Sequence, residues 1–200
     1  MRLKVVAKNS YHHGDLENSL INAAIALVRK YGPDQLSLRA VSADVGVSPS
    51  ASYHYFKDKD ALVLAVGQVL FDQLAVKQEQ AISKIKSKGK EAALKKFQEM
   101  GYAYFDWATS EPNLYRLMFG GFCEHVFDKK SDKAWGLLAH ALDELMAFGW
   151  IDKRARPGGE LVVWSAVHGA SSLAIEGLMP ESAFPQVLRS IERSIGVKGE

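Results

Sequence analysis

Apolar residues recur at helical spacing along almost the whole chain. Close to the N-terminus they follow the i, i+4, i+8 spacing of a helix with one buried face: Leu16, Leu20, Ile21, Ala24, Leu27, Val28 and Tyr31. Asp15 is the predicted N-cap of this helix, and Gly32 and Pro33 end it. Runs that alternate between apolar and polar residues, as in a half-buried β-strand, are absent. The pattern therefore predicts an all-α protein.

Two short helices are predicted next. Ser37 is a suitable N-cap, and the helix that follows it ends near Gly46. Ser48 followed by Pro49 is typical of another helix start, because proline at the first helical position lacks only an N–H that has no helical partner. This third helix is about two turns long and is predicted to end at Tyr55 or the residue after it.

Longer helical patterns follow in the rest of the chain. Asp58 is the predicted N-cap of a helix that runs to about Ile85, where a lysine-rich polar stretch interrupts it. Pro185 lies in the first turn of the last predicted helix, where proline is tolerated. With five further helices the total is about nine; the approximate ranges of these five are 91–109, 113–127, 131–148, 159–178 and 182–195.

The segment 37–56 carries the strongest chemical signal. Its two short helices are joined by a bend at Gly46, and this arrangement is typical of a helix-turn-helix. The second helix is expected to expose small polar groups at its start, followed by tyrosine, histidine and lysine side chains that suit phosphate contacts. A generic helical hairpin is the alternative, in which Tyr55 and Phe56 are simply core aromatics.

At residues 11–66 the chain resembles the N-terminal domain of the TetR family of transcriptional regulators. The resemblance rests on the YHHGDL opening, the VGVSxxxxYxYF core and the K-x-K-x-x-L that follows. It implies a three-helix DNA-binding domain whose third helix enters the major groove of a palindromic operator. The resemblance and the polar groups together predict these DNA contacts: Ser37, Arg39, Ser48, Pro49, Ser50, Ser52, Tyr53, His54, Lys57 and Lys59.

The C-terminal part resembles the Trp-His-Gly subclass of that family. Trp164, His168 and Gly169 carry this resemblance, together with the segment PNLYRLMFGG at 112–121. It implies a helical bundle that dimerises, encloses a small-molecule pocket and releases operator DNA when an effector binds. The expected organisation is therefore a basic arm at 1–14, a DNA-binding domain at 15–62 and an effector-binding and dimerisation domain at 63–200. No cofactor or metal is expected.

Aromatic residues are frequent in this C-terminal part, and from this frequency we infer an apolar or aromatic effector. The pocket candidates are Tyr104, Trp107, Tyr115, Met118, Phe122, His125, Trp164 and His168. Each of them is also compatible with plain core packing. The residues expected at the dimer interface are Ala166, Gly169, Ala170, Leu173, Leu188, Ile191 and Ile195, for which the intrachain core is the competing explanation.

The distribution of charge indicates a candidate DNA contact only at the N-terminus. The net charge of the chain is +2, and residues 1–14 contain Arg2, Lys4 and Lys8 without any acidic residue. This basic arm is expected to contact DNA, although a solvated tail explains it equally well. The single cysteine, Cys123, excludes a disulfide framework, and no apolar stretch is long enough to cross a membrane. A cytoplasmic protein is expected.

Two other functions remain open from the sequence. An enzyme could use Cys123, His125, His140 and His168 as nucleophile, base or metal ligands. The usual catalytic and nucleotide-binding fingerprints are absent, and Cys123 and His125 are two positions apart, which directs them to different sides of a helix. The second alternative is a DNA-binding regulator without a small-molecule effector, either constitutive or controlled by a protein partner.

Overall fold

The structure, a computed structural model, describes residues 13–121 and 133–197, and in these ranges all regular secondary structure is helical. The prediction of an all-α fold is confirmed. Short 3-10 turns at Pro33–Gln35 and Glu181–Ala183 precede helices. The helices are α1 His13–Tyr31, α2 Leu38–Val45, α3 Pro49–Tyr53, α4 Lys59–Ser83, α5 Lys90–Ser110, α6 Pro112–Phe119, α7 Lys133–Ala147, α8 Gly159–Ile175 and α9 Phe184–Ser194.

Several helix ends differ from the predictions. Helix α1 begins at His13, so Asp15 lies inside its first turn and is not its N-cap. Helix α3 ends at Tyr53, and the following residues form a turn. Helix α8 stops at Ile175 because Gly177 adopts a left-handed conformation with φ 70°. There the N–H of Leu178 bonds the carbonyl of residue 173 at 2.8 Å, which closes the helix end.

Helix α6 is shorter than the predicted range 113–127. It ends at Phe119, and Gly121 has φ 82°, a left-handed conformation that does not continue a helix. The second half of the predicted helix lies outside the described residues. Across the part of the chain that the structure describes, no helix is long and apolar enough to cross a membrane.

One hydrophobic core extends through the described helices. Helix α4 packs along α5, which also contacts α7 and α8, and α9 packs on α8. Phe184 at the start of α9 is 1% exposed and stacks on Phe105 of α5 with ring centroids 4.0 Å apart. Burial of such rings is the main source of stability for this arrangement. The core therefore holds α4, α5, α7, α8 and α9 around one interior.

Candidate nucleic-acid interface and internal cavity

The turn between α2 and α3 is fixed by backbone geometry. Gly46 has φ 78° and ψ 29°, a left-handed conformation. Its N–H bonds the carbonyl of Ala43 at 3.2 Å, and the N–H of Val47 bonds the carbonyl of Ser42 at 2.9 Å. This pair of bonds is the Schellman motif that commonly ends a helix at glycine. A Cβ at position 46 would meet nothing within 4 Å, so glycine is needed for its backbone conformation and not for space.

Each helix of this region starts at a side-chain cap. Ser37 Oγ accepts a hydrogen bond from the N–H of residue 40 at 3.2 Å, and Ser48 Oγ accepts one from residue 51 at 3.3 Å. Asp58 Oδ1 accepts the N–H of residue 61 at 2.8 Å. These three predicted N-caps are confirmed, and Pro49 takes the first position of α3 as expected.

Ser52 does not belong to the exposed surface, so the prediction that it is presented to DNA is wrong. Its side chain is fully buried, and its Oγ lies 2.7 Å from the Oγ of Ser42 on α2. Ser42 Oγ also donates to the carbonyl of Leu38 at 2.6 Å. The fourth residue of α3 therefore faces α2 and joins the two helices through this buried hydrogen bond.

The remaining predicted DNA contacts form one polar set around α3 and the start of α4. Tyr53 is 51% exposed, and Lys57 Nζ lies 3.8 Å from the Asp58 carboxylate at the surface. Phe56 is buried, and Tyr55 packs against the core, which agrees with their alternative assignment as core aromatics. The members of the set are exposed except for half-buried Ser37 and Lys59: Ser37, Arg39, Ser48, Pro49, Ser50, Tyr53, His54, Lys57 and Lys59.

This polar set can serve as a phosphate-binding surface. Hydroxyl groups and long cationic side chains are the usual partners of a nucleic-acid backbone. The basic arm that would extend it lies outside the described residues at positions 1–12, while residues 13 and 14 belong to α1. The described surface therefore carries its donors on capped helices whose relative position is fixed by the Gly46 turn and the Ser42–Ser52 hydrogen bond.

A cavity of about 50 Å³ lies inside the bundle. Tyr104 and Trp164, two of the predicted pocket residues, line it. Its walls come from α4, α5, α7, α8 and α9, and their side chains are almost all apolar: Phe71, Leu74, Gln78, Phe97, Met100, Gly101, Tyr104, Ala134, Trp135, Leu138, Val163, Trp164, Val167 and Leu188. An interior of this kind suits an apolar or aromatic molecule.

His168 lies beside the cavity in a hydrogen-bonded group and does not line it. The Tyr104 hydroxyl is 3.1 Å from His168 Nδ1, and the Tyr115 hydroxyl is 2.9 Å from the same atom. Tyr115 also donates to the backbone carbonyl of His168 at 2.9 Å. Burial lowers the pKa of His168 and raises the pKa of Tyr115 above its ordinary range. At neutral pH the group is therefore an uncharged hydrogen-bonded cluster.

The other predicted pocket residues are not brought to the cavity. Trp107 and Met118 are buried in the helices, and Trp107 borders a separate surface groove between α4 and α5. Phe122 and His125 lie outside the described residues, as does Cys123. Among the described residues no group of histidine, cysteine and carboxylate side chains could hold a metal ion.

Several lining residues were missed from the sequence. Phe71, Leu74 and Gln78 lie on one face of α4 at i, i+3 and i+7. Trp135 lies in the first turn of α7. The sequence signal for these lining residues is a glutamine on an otherwise apolar helix face. Burying its amide costs free energy unless the amide is hydrogen-bonded. Trp135 contacts Trp164 edge to face at 6.4 Å, which joins α7 to α8 at the cavity wall.

Helix α6 connects this interior to the first helix. The two carboxylate oxygens of Glu111, just before α6, share the single N–H of Arg29 Nε at 3.0 and 2.9 Å, and Asn113 Nδ2 donates to the Arg29 carbonyl at 3.1 Å. On its other side Phe119 packs edge to face on His168 with centroids 4.7 Å apart. His168 in turn lies 5.2 Å from the Trp164 ring. A continuous set of contacts therefore runs from the cavity wall to α1.

The predicted dimer residues divide into two groups. Ala170, Leu188, Ile191 and Ile195 are buried in the chain's own core, so they cannot form an interface on its surface and their prediction is wrong. The apolar face of α9 is directed inward for the same reason. The other three predicted residues, with Val162, form a seam on α8 at i, i+4, i+7 and i+11: Val162, Ala166, Gly169 and Leu173.

The two ends of the seam are exposed to solvent, and its two middle residues, Ala166 and Gly169, are half-buried. Val162 is 47% exposed and Leu173 45% exposed. A Cβ placed on Gly169 would meet no atom within 4 Å. Exposed branched apolar side chains at both ends of a seam with small residues between them are suited to close contact with another helix.

Two family models match the chain. The model described as bacterial regulatory proteins of the tetR family matches residues 20–66, and the model described as a tetracyclin repressor-like C-terminal domain matches residues 97–197. The narrower Trp-His-Gly subclass is not confirmed by these matches and stays a prediction. A search of curated proteins finds no match.

Solved structures resemble the chain over nearly its full length. A protein of unknown function from Rhodococcus sp. RHA1 is 27% identical, with a TM-score of 0.72 over 94% of this chain and 97% of that one. A TetR family transcription regulator from Marinobacter aquaeolei VT8 is 16% identical (TM-score 0.67, 91% and 96% covered). The fatty acid degradation regulator FadR from Bacillus halodurans is 12% identical (TM-score 0.68, 93% and 97% covered). The last two likenesses show a common fold.

The polar surface on α3 and α4 lies within the stretch matched by the DNA-binding family model, and the cavity lies largely within the stretch matched by the C-terminal one. The C-terminal match alone spans half of the chain. Regulators of this family bind operator DNA as dimers and are transcription factors, not enzymes. The chain belongs to the TetR family of bacterial transcriptional regulators.

Proposed function

We propose that the protein is a cytoplasmic homodimeric repressor that binds a palindromic operator and is released by a small, largely apolar or aromatic effector. The observation that carries this proposal is the combination of an exposed polar surface on capped short helices with an apolar cavity in the bundle behind it. Residues 1–14 act as a basic arm, 15–62 as the DNA-binding domain and 63–200 as the effector and dimerisation domain. The Trp-His-Gly subclass remains part of the proposal.

DNA binding is assigned to the polar set described above without Ser52. Tyr53 and Lys59 contact phosphates on this view, while Arg39 and the exposed start of α3 lie close to base edges. Lys59→Ala is expected to weaken binding to all sequences alike and to reduce the slope of log K against log salt by about 0.9 for each of the two lysines that the dimer loses. Tyr53→Phe is expected to weaken binding because it removes one hydroxyl donor.

These effects are measured by fluorescence anisotropy across a salt series. Lys153→Ala is the matched control, because Lys153 is an exposed lysine in the loop between α7 and α8. Removal of residues 1–13 is expected to reduce the slope further, since the arm carries three cations. Equal slopes for Lys59→Ala and the control variant would contradict the phosphate role of Lys59.

Effector control is assigned to the cavity and to α6. A molecule that enlarges the cavity displaces Trp164, and Trp164 contacts His168, which α6 holds through Tyr115 and Phe119. Helix α6 is tied to α1 by the bond between Arg29 and Glu111. The effector therefore shifts the protein between two arrangements of α1 and α6, of which one binds operator DNA more tightly.

Tyr115→Phe tests this coupling. The variant loses the hydroxyl that bonds His168 but keeps the ring, so DNA affinity without effector is expected to stay within twofold. The effector concentration needed for release is expected to rise. Thr109→Ala, which removes a hydroxyl bonded to its own helix, is the control. Unchanged effector response in Tyr115→Phe would contradict transmission through this hydrogen bond.

Dimerisation is assigned to the seam on α8. Two copies related by a two-fold axis would cover the exposed Val162 and Leu173 side chains and place two α3 helices on successive turns of DNA, roughly 34–36 Å apart. Leu173→Glu is expected to give monomers in sedimentation equilibrium and to abolish tight operator binding. Val76→Glu, an equally exposed position on α4, should remain dimeric.

A second candidate function is a regulator without a small-molecule effector. The cavity volume of about 50 Å³ favours this alternative, because small-molecule sites usually enclose roughly 300–1,000 Å³. Native mass spectrometry of the protein as purified distinguishes the two. A bound small molecule, or a compound that raises Tm, supports effector control, whereas a bare dimer that no compound stabilises supports the alternative.

A further inference from the structure

Gln78 is the one polar side chain on the α4 wall of the cavity. It is 6% exposed, and its Nε2 donates to the backbone carbonyl of Met100 on α5 at 3.4 Å. Its Oε1 has no hydrogen-bond partner among the described residues and is shielded from solvent. The Met100 carbonyl can accept a hydrogen bond only from the Nε2 of Gln78 and not from its Oε1. The bond therefore fixes the orientation of the side-chain amide and leaves Oε1 as an acceptor without a partner among the described residues.

An acceptor buried in this way is costly to the folded protein. The Met100 carbonyl lies inside helix α5, where backbone bonding satisfies it, so Gln78 is not required to serve it. A methionine or leucine at position 78 would fill the same space without an unpaired polar atom. A hydrogen-bond donor on a molecule in the cavity would satisfy this acceptor.

The rest of the lining restricts what that donor belongs to. Among the residues that the structure describes, no charged side chain lines the cavity, so a carboxylate or an ammonium group would meet no counter-charge from them. The second polar group, the Tyr104 hydroxyl, already lies 3.1 Å from His168 Nδ1. Besides the ring of Tyr104, four aromatic rings line the described walls and favour a flat apolar molecule: Phe71, Phe97, Trp135 and Trp164.

We propose that the cavity binds a neutral aromatic compound that carries a hydroxyl or N–H donor, and that Gln78 Oε1 accepts this hydrogen bond. The inference rests on the effector-controlled function proposed above and specifies its ligand class. Since the cavity holds about 50 Å³, the ligand enters by displacing lining side chains, and compounds with one or two rings are suitable probes.

The test uses pairs of compounds that differ only in hydroxyl against methyl: phenol and toluene, 2-naphthol and 2-methylnaphthalene, and 4-phenylphenol and 4-methylbiphenyl. Binding to the purified full-length protein is followed by tryptophan fluorescence and isothermal titration calorimetry, without DNA. At least one hydroxyl compound is expected to bind about tenfold more tightly than its methyl partner. A cavity that binds only through hydrophobic contacts would prefer the methyl compound, because it is the more hydrophobic of the two.

Gln78→Met then assigns the preference to this side chain. The variant keeps the volume and removes the acceptor, so the tenfold preference for the hydroxyl compound is expected to vanish or reverse. Gln98→Met is the control, because Gln98 bonds Glu192 away from the cavity and its loss should leave the preference intact. If Gln78→Met fails to fold, Gln78→Leu replaces it, and the preference of the unaltered protein remains a test without any variant.

Three results would overturn the proposal: no pair binds, the methyl compounds bind as tightly as the hydroxyl compounds, or the preference persists in Gln78→Met. In the last two cases Gln78 Oε1 is satisfied by buried water, and the glutamine does not select the ligand. The proposed function is tested separately by adding the tight-binding compound to the protein–operator complex. Binding with hydroxyl preference but without release of DNA would support this inference and contradict effector-controlled repression.

Discussion

The DNA-facing helices and the cavity are held together in different ways. The α2–α3 unit depends on bonds between residues close in sequence: caps that span three positions, the Gly46 turn, and a hydrogen bond between the Ser42 and Ser52 hydroxyls, which are ten positions apart. The cavity depends on partners such as Tyr104 and His168, which are 64 positions apart. Local hydrogen bonding thus shapes the first region, and long-range burial of large side chains shapes the second.

The difference determines how each region fails. A local unit loses its geometry when one cap, turn or buried hydroxyl is removed, and the cost is that of a few hydrogen bonds. A cavity wall loses its geometry when a large buried side chain is removed, and the cost scales with the volume that is lost. The predictions below separate the two modes, from the largest expected effect to the smallest.

Phe184→Ala tests the burial mode. The ring is 1% exposed and lies between Phe105 and Tyr102, so its removal should lower the free energy of unfolding by about 3–5 kcal/mol in urea titrations. Leu178→Ala is the control, because Leu178 is 75% exposed. A loss below about 1 kcal/mol for Phe184→Ala would mean that α9 does not contribute to the core.

Ser42→Ala tests the local mode through the buried hydroxyl pair. The variant leaves Ser52 Oγ buried without its partner, so it should destabilise the protein by about 1–3 kcal/mol and weaken operator binding. Adding Ser52→Ala should restore part of the loss, which a double-mutant cycle measures. Ser190→Ala on the exposed surface of α9 is the control. Equal effects of Ser42→Ala and Ser190→Ala would show that the Ser42–Ser52 hydrogen bond does not stabilise the contact between α2 and α3.

Gly46→Ala tests the turn. Because φ is 78° at this position, a Cβ should cost about 1–2 kcal/mol even though nothing crowds it. Gly136→Ala in helix α7 is the matched opposite: it also has open space but no positive φ, and it should stabilise by roughly 0.5–1 kcal/mol. Thermal unfolding of both variants gives the comparison, and two changes of the same sign would contradict it.

The smallest effect concerns pH. Burial lowers the pKa of His168, so the unfolded chain binds the proton more readily than the folded protein. The free energy of unfolding should therefore fall as pH drops below about 6.5, the ordinary histidine value, and should not depend on this group above it. His168→Gln should lose less stability than the unaltered protein between pH 7.5 and 5. An identical pH profile would show that His168 is solvated.

The sequence predicts the local region well for a physical reason. Serine, proline, aspartate and glycine act on backbone groups within four residues, so Ser37, Ser48 and Asp58 could be assigned as caps from spacing alone. The same argument fails for Asp15, which lies inside the first turn of α1. A second exception is Ser52. Its burial depends on how α3 lies against α2, and helical spacing within a five-residue helix does not establish that orientation.

The cavity could not be assembled from the sequence in the same way. The sequence identifies Tyr104 and Trp164 as aromatic residues near polar groups. Trp107 and Met118 have a similar apolar character, but they are buried away from the cavity. The same limit applies to the dimer residues: Leu188 has the same apolar character as Leu173, yet only Leu173 is exposed. Which side of an apolar helix faces a neighbour is decided by the packing of all the other helices.

The most direct test of the account is a footprint of the purified protein on operator fragments selected from genomic DNA. The account predicts a short palindromic site whose half-sites are centred about 10 base pairs apart, bound by one dimer, with no protection when Lys59→Ala and Tyr53→Phe are combined. A folded protein that protects no site, or the same protection by the double variant, would contradict the assignment of α3 and the start of α4 as the DNA-binding surface.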